Sequence, residues 1–78
     1  MAIPQSLPRK LKEIRTRSGL SKTGMVKALK YQASHLYPSD ISQFERGDRQ
    51  PPFLVALAYA RFGGFDMSVL IDDDLSLD

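Results

Sequence analysis

The chain has no cysteine and one histidine, His35. Without thiols there is no disulfide framework and no thiolate metal site, which fits a reducing cytoplasm. There is also no glycine-rich phosphate loop and no metal-ligand spacing. An enzyme is therefore disfavoured and no cofactor is expected. The run Asp72-Asp73-Asp74 lacks the geometry of a calcium loop. No apolar run approaches ~18 residues, so no membrane span is expected. The N-terminus lacks the charged-then-apolar layout of a signal peptide.

Acidic residues are scarce in the first fifty positions. Glu13, Asp40, Glu45 and Asp48 there face ten basic residues, a balance of +6. Beyond residue 50 only Arg61 opposes five aspartates, a balance of −4. Such asymmetry suggests one side turned toward a polyanion and another kept away from it. A solvated surface is the plainer explanation of the same bias. The length of 78 residues allows one small domain with a modest core, of a size often helped by oligomerisation.

What is present is most informative at Ile41-Ser42-Gln43-Phe44-Glu45-Arg46-Gly47. Ile41 and Phe44, three apart, suit the inner face of a helix that stops at glycine. At about 100° per residue, Ser39, Ser42, Gln43 and Arg46 then point outward. Serine, glutamine and arginine can hydrogen-bond base edges in a DNA major groove. Glu45 lies on the flank of the apolar stripe, where a half-desolvated carboxylate needs a partner. Leu7, Leu11 and Ile14 form a matching stripe, and Arg15 occupies its corresponding flank. An internal Arg15–Glu45 pair is one reading, since a guanidinium can hold a carboxylate bidentately. Two solvated charges are the other.

Four short motifs in this order resemble the Cro/C1-type, or XRE-type, helix-turn-helix family. They are Leu11-Lys12-Glu13-Ile14-Arg15, Ser18-Gly19-Leu20-Ser21-Lys22-Thr23, Ile41 to Gly47 with Pro51 following, and Ala60 to Ile71. The resemblance covers residues 7–71. It implies an all-α, lambda-repressor-like bundle of about five helices, the second and third forming the DNA-reading unit. It also implies that Arg15 and Glu45 pair. Residues 1–5 are then a loose leader, 6–71 the DNA-binding domain and 72–78 a frayed acidic tail.

Punctuation places the helices. Ser6 is a cap for the first, with Leu7 and Pro8 in its opening turn and Gly19 beyond its end. Ser21 caps the second, the third begins near Pro38 or Ser39, and Pro51-Pro52 opens the fourth. Phe53 to Ala60 is apolar on every side, which predicts a central buried helix. Gly63-Gly64 ends it, and Asp66 is a cap for a fifth helix to about Ile71. One departure from the family stands out. Val26 and Ile41 are 15 positions apart, about five more than the family pattern has. The expectation is a second helix extended to about Gln32 or Ala33, then a loop to Pro38. Tyr31, Gln32, His35 and Tyr37 would be in reach of phosphates or sugars, unless Leu36 and one tyrosine simply plug the core.

The candidate contacts divide by role. Ser39, Asp40, Ser42, Gln43 and Arg46 are the base-reading candidates, with Gln43 suited to adenine and Arg46 to guanine or a phosphate. Asp40 can accept from cytosine, although an aspartate in a first helical turn also serves the helix dipole. Ser21, Lys22 and Thr23, at a helix N-terminus, and Arg49 and Gln50, in the turn before the fourth helix, are the phosphate candidates. Lys22 stands where the family commonly has glutamine, and binds phosphate as a point charge. Arg9, Lys10 and Arg17 read as surface solubility. Phe65, Met67, Val69 and Leu70 are the candidate contact of a homodimer, or else complete the monomer core. The expected partner is double-stranded DNA, bound by a cytoplasmic, nucleoid-associated regulator. With no separate effector domain in the sequence, a repressor is the first reading. The alternative is an antitoxin or mobile-element control factor that holds a protein partner through its C-terminal tail.

Overall fold

Serine, proline and glycine divide the described residues into five α-helices. They are α1 (Leu7–Arg17), α2 (Lys22–Leu29), α3 (Pro38–Arg46), α4 (Phe53–Gly63) and α5 (Met67–Ile71). The structure, a computed structural model, describes residues 4–30 and 35–77. It is an all-helical bundle in which α1 and α2 both pack on α3, α4 contacts α1 and α2, and α5 closes against α1 and α4. Among the described residues, no helix is long and apolar enough to cross a membrane.

Glycine ends α3 for a backbone reason. Gly47 has φ +77°, and Asp48 N–H then reaches back to Gln43 C=O at 3.0 Å. Only a residue without Cβ adopts this left-handed turn freely, and it satisfies carbonyls that the helix end leaves open. Gly64 repeats the device after α4, with Phe65 N–H on Ala60 C=O at 2.8 Å. Ser21 caps α2 as its position suggests, its Oγ accepting Gly24 N–H at 3.0 Å.

Leu7, Leu11 and Ile14 of α1, Met25 and Leu29 of α2, and Ile41 and Phe44 of α3 meet in one buried core with Val55, Tyr59, Ala60 and Leu70. Burying each large side chain contributes about 1.5–3 kcal/mol, so the two inward residues of α3 largely decide whether that helix stays docked. Leu36 also packs against this core, whereas Tyr37 is exposed and stacks on His35.

Several expectations change. α2 stops at Leu29 rather than at Gln32 or Ala33, because Lys30 turns left-handed at φ +54°. Tyr31 and Gln32 lie outside the described residues. α4 is not buried all round. Val55, Ala56, Tyr59 and Ala60 are inside, but Phe53 and Leu54 are 67 % and 54 % exposed. Its neighbours cover one face, and the apolar pattern by itself does not say which. Asp66 occupies the position before α5, but its side chain makes no cap bond.

The ends of the chain are joined. Ser6 does not cap α1 with its own side chain. Its Oγ and N–H instead donate to Asp73 Oδ1 at 2.6 and 2.9 Å, and Gln5 N–H donates to Asp73 Oδ2 at 3.1 Å. A carboxylate from the tail thus sits at the start of α1, where free amides and the helix dipole favour a negative charge. The Ser6 hydroxyl, then the Ser6 and Gln5 amides, hold the Asp73 carboxyl below its ordinary range. Lys10, expected on the surface, is fully buried, and its Nζ donates to Val69 and Asp72 carbonyls at 2.6 and 2.9 Å. It closes the C-terminal end of α5, where a cation is favoured. The tail expected to fray is pinned here by these bonds and by Leu77 packing against the core.

Tyr59 is fully buried and its hydroxyl finds no hydrogen-bond partner among the described residues. Burial, reinforced by the nearby Glu45 charge, pushes that hydroxyl well above the ordinary tyrosine range. An unfolded chain ionises this tyrosine near pH ~10, whereas the folded chain keeps it protonated. The folded state then holds the extra proton, so stability is intact below about pH 10 and falls as the pH rises beyond it. Urea midpoints between pH 8 and 11 should show this decline, reduced in Tyr59→Phe. At neutral pH, Tyr59→Phe should gain up to about 1 kcal/mol by removing an unpaired polar group. A clear loss of stability at neutral pH would mean that the hydroxyl has a partner.

Candidate nucleic-acid interface

The third helix is held from beneath by a charged pair. Arg15 Nε donates to Glu45 Oε2 at 2.6 Å, and its Nη2 to Oε1 at 3.0 Å. The remaining arm of the fork, Nη1, donates to Leu20 C=O at 3.0 Å. Only 12 % of the Arg15 side chain and 6 % of the Glu45 side chain are exposed. The hydrogen-bonded Glu45 carboxylate raises the Arg15 pKa above its ordinary value, against the opposing effect of burial. Three structural units therefore share one guanidinium: α1, the turn before α2, and α3. Planar two-point geometry fixes the rotation of α3 about its axis, which a flexible ammonium at residue 15 would not.

This rotation decides what α3 presents. Ile41 and Phe44 are buried, Ser39 and Arg46 are exposed, and Ser42 and Gln43 are half-buried with part of each side chain at the surface. Asp40 behaves differently from the other base-reading candidates. Its Oδ2 accepts Tyr37 N–H at 2.9 Å, which caps the start of α3. Its Oδ1 accepts from Arg49 Nη1 at 2.7 Å. Both oxygens are engaged within the protein, so Asp40 orients Arg49 rather than offering a free acceptor to a base. The Arg49 guanidinium also lies 5.3 Å from the Phe44 ring centroid, a cation–π distance. Arg46 is likewise paired, Nε to Asp48 Oδ2 at 2.8 Å.

Ser21, Lys22 and Thr23 are exposed at the start of α2. The Ser21 oxygen already accepts a backbone amide, which leaves its proton, the first amides of α2 and the Lys22 ammonium to face an anion. No carboxylate among the described residues pairs with Lys22, Lys27 or Lys30. Arg49 and Gln50 are exposed in the turn between α3 and α4. Exposed cations thus stand at the start of α2 and in the turn after α3.

The four residues expected at a dimer contact do not form one apolar surface. Leu70 is fully buried in the monomer core, and Phe65 and Met67 pack partly against it, while Val69 is half-buried. Exposed apolar bulk lies instead at Phe53, Leu54, Phe62, Ile71 and Leu75. Phe53 and Ile71 border a groove of about 250 Å³ with Pro4, Leu7, Pro51 and Met67 along it. The residues that sequence reasoning undervalued are Lys10, Asp48 and Asp73. Lys10 lies three positions after Leu7 and one before Leu11, close enough to the apolar stripe for its stem to follow it inward.

No protein-family model matches the chain, and neither a curated protein nor a solved structure matches it.

Proposed function

We propose that this protein is a sequence-specific, double-stranded-DNA-binding regulator of the Cro/C1 helix-turn-helix kind, acting as a repressor, with α3 in the major groove. The observation that carries the reading is the face of α3. Ser39, Ser42, Gln43 and Arg46 share one side of a helix whose rotation is set by a buried bidentate ion pair. Lys22, at the start of α2, and Arg49, in the turn after α3, are exposed and serve as phosphate anchors. Phosphate contacts set position, Ser39, Ser42 and Gln43 read base edges, and Arg46 meets guanine or a phosphate.

One helix spans only a few base pairs, so the regulator works as a two-fold dimer with its reading helices about 34–36 Å apart. The contact that fits is the groove beside Phe53 and Ile71. It carries no charged residue, so two copies meet there without like-charge repulsion. An isologous pairing lets the Phe53 of each copy enter the groove of the other.

Selection of bound duplexes from a random pool tests the reading. The enriched sites should be palindromic, with half-sites about 10–10.5 base pairs apart. Gln43→Ala should cost about 1–3 kcal/mol at one base position. Lys22→Ala should weaken every sequence alike and lower the salt slope by about one. Equal loss on all sequences from both changes would remove the division between reading and anchoring. Failure of the wild type to retain any duplex in dilute buffer would end the proposal.

A further inference from the structure

α3 and its following turn offer an approaching phosphate no net positive charge. With Glu45 committed to Arg15, Asp40 and Asp48 balance Arg46 and Arg49. The two arginines are also already engaged. Arg49 is held by Asp40 at 2.7 Å, and Arg46 by Asp48 at 2.8 Å. The two pairs differ in setting. Asp40 is 16 % exposed and also caps α3, so it belongs to the helix's own framework. Arg46 and Asp48 are each 60 % exposed, and the Asp48 carboxylate makes no other bond among the described residues. Nothing in the packing requires Asp48 to be acidic.

We propose that Asp48 is an intramolecular competitor for Arg46, a brake that a DNA phosphate must displace before this arginine contributes to binding. The inference rests on the DNA-binding reading above. Arg46 is the exposed cation of the reading face, and Asp48 lies at the tip of the turn that follows it. A carboxylate there holds the guanidinium that an approaching phosphate must recruit. Exposed pairs of this kind are weak, so the brake lowers affinity without abolishing it. Its effect is independent of sequence, because it acts on the phosphate contribution to binding. Unwanted occupancy of bulk DNA falls, while discrimination by Gln43 is untouched.

The test is a double-mutant cycle on labelled duplexes, with melting curves confirming that each variant is folded. Asp48→Asn should tighten binding about two- to fivefold on specific and random duplexes alike, and steepen the salt slope by about one. Asp74→Asn makes the same charge change in the exposed tail and should leave affinity unchanged. In the Asp48→Asn/Arg46→Ala double variant the gain should vanish, since the brake acts through that arginine. If Asp48→Asn matches Asp74→Asn, or if its gain persists without Arg46, the competitor role is overturned and the regulator reading stands. If the wild type retains no duplex, the regulator reading fails first, and this inference with it.

Discussion

Glu45→Ala is expected to cost the domain about 3 kcal/mol, because it leaves the buried Arg15 guanidinium without its carboxylate. A pair this enclosed gains little net energy by forming, since both charges give up water. Breaking it is costly, since one desolvated charge remains. For a chain of this length the loss corresponds to a fall in melting temperature of roughly 12–24 °C. Calorimetry or thermal circular dichroism at pH 7 measures it. Removing both charges should hurt less. An Arg15→Met/Glu45→Leu variant should recover much of the lost stability, because apolar side chains of similar volume need no partner. Under the DNA-binding proposal, that recovered protein should still retain duplex poorly, as α3 loses the two-point contact that sets its rotation. A drop of less than about 1 kcal/mol in Glu45→Ala would mean that solvent replaces the carboxylate readily, as at an exposed pair. The pair could then not be what orients the reading face.

Phe44→Ala should be as damaging, at about 3–5 kcal/mol. Phe44 is 1 % exposed and, with Ile41, forms the whole apolar footing of α3. The truncation loses its burial and leaves a cavity that rigid neighbours fill only partly. With small domains stable by about 5–15 kcal/mol, much of that reserve goes. Amide exchange should locate the damage, with protection lost first along α3. Phe44→Leu separates packing from the ring. It keeps most of the apolar bulk but removes the face beneath Arg49, and about 0.5–1 kcal/mol of cation–π attraction with it. If Phe44→Ala melted within a few degrees of wild type, α3 would not depend on this core contact, and the account of how it is seated would be wrong.

How far the architecture could be read in advance depended on the range of the interaction involved. The span of α3 followed from Pro38 at one end and Gly47 at the other, since both act on their own backbone torsions. The Ser21 cap involves an amide three residues away. The Arg15–Glu45 contact spans thirty positions; the flanks of the two apolar stripes left it one of two readings, and only the family resemblance implied it. The end of α2 was misjudged because a lysine in the left-handed region carries no sequence signal comparable to glycine.

Electrostatic commitments were harder to see. In the sequence Asp40 reads as a base acceptor or as a partner of the helix dipole. Only the position of Arg49, brought back beside it by the turn after α3, selects between these. The same holds at the ends of the chain, where Asp73 supplies α1 with the acceptor that Ser6 does not.

Helix type, order and most boundaries were thus determined by the sequence alone, because torsional preference and hydrophobic period act within a turn or two of chain. The tertiary structure decided which charges are spent internally and which apolar side chains remain outside. It made Lys10 a buried clasp and Leu70 a core residue, and left Phe53 beside an open groove. Those outcomes depend on which groups from distant segments compete for the same neighbour, and that competition is settled only once the helices are packed.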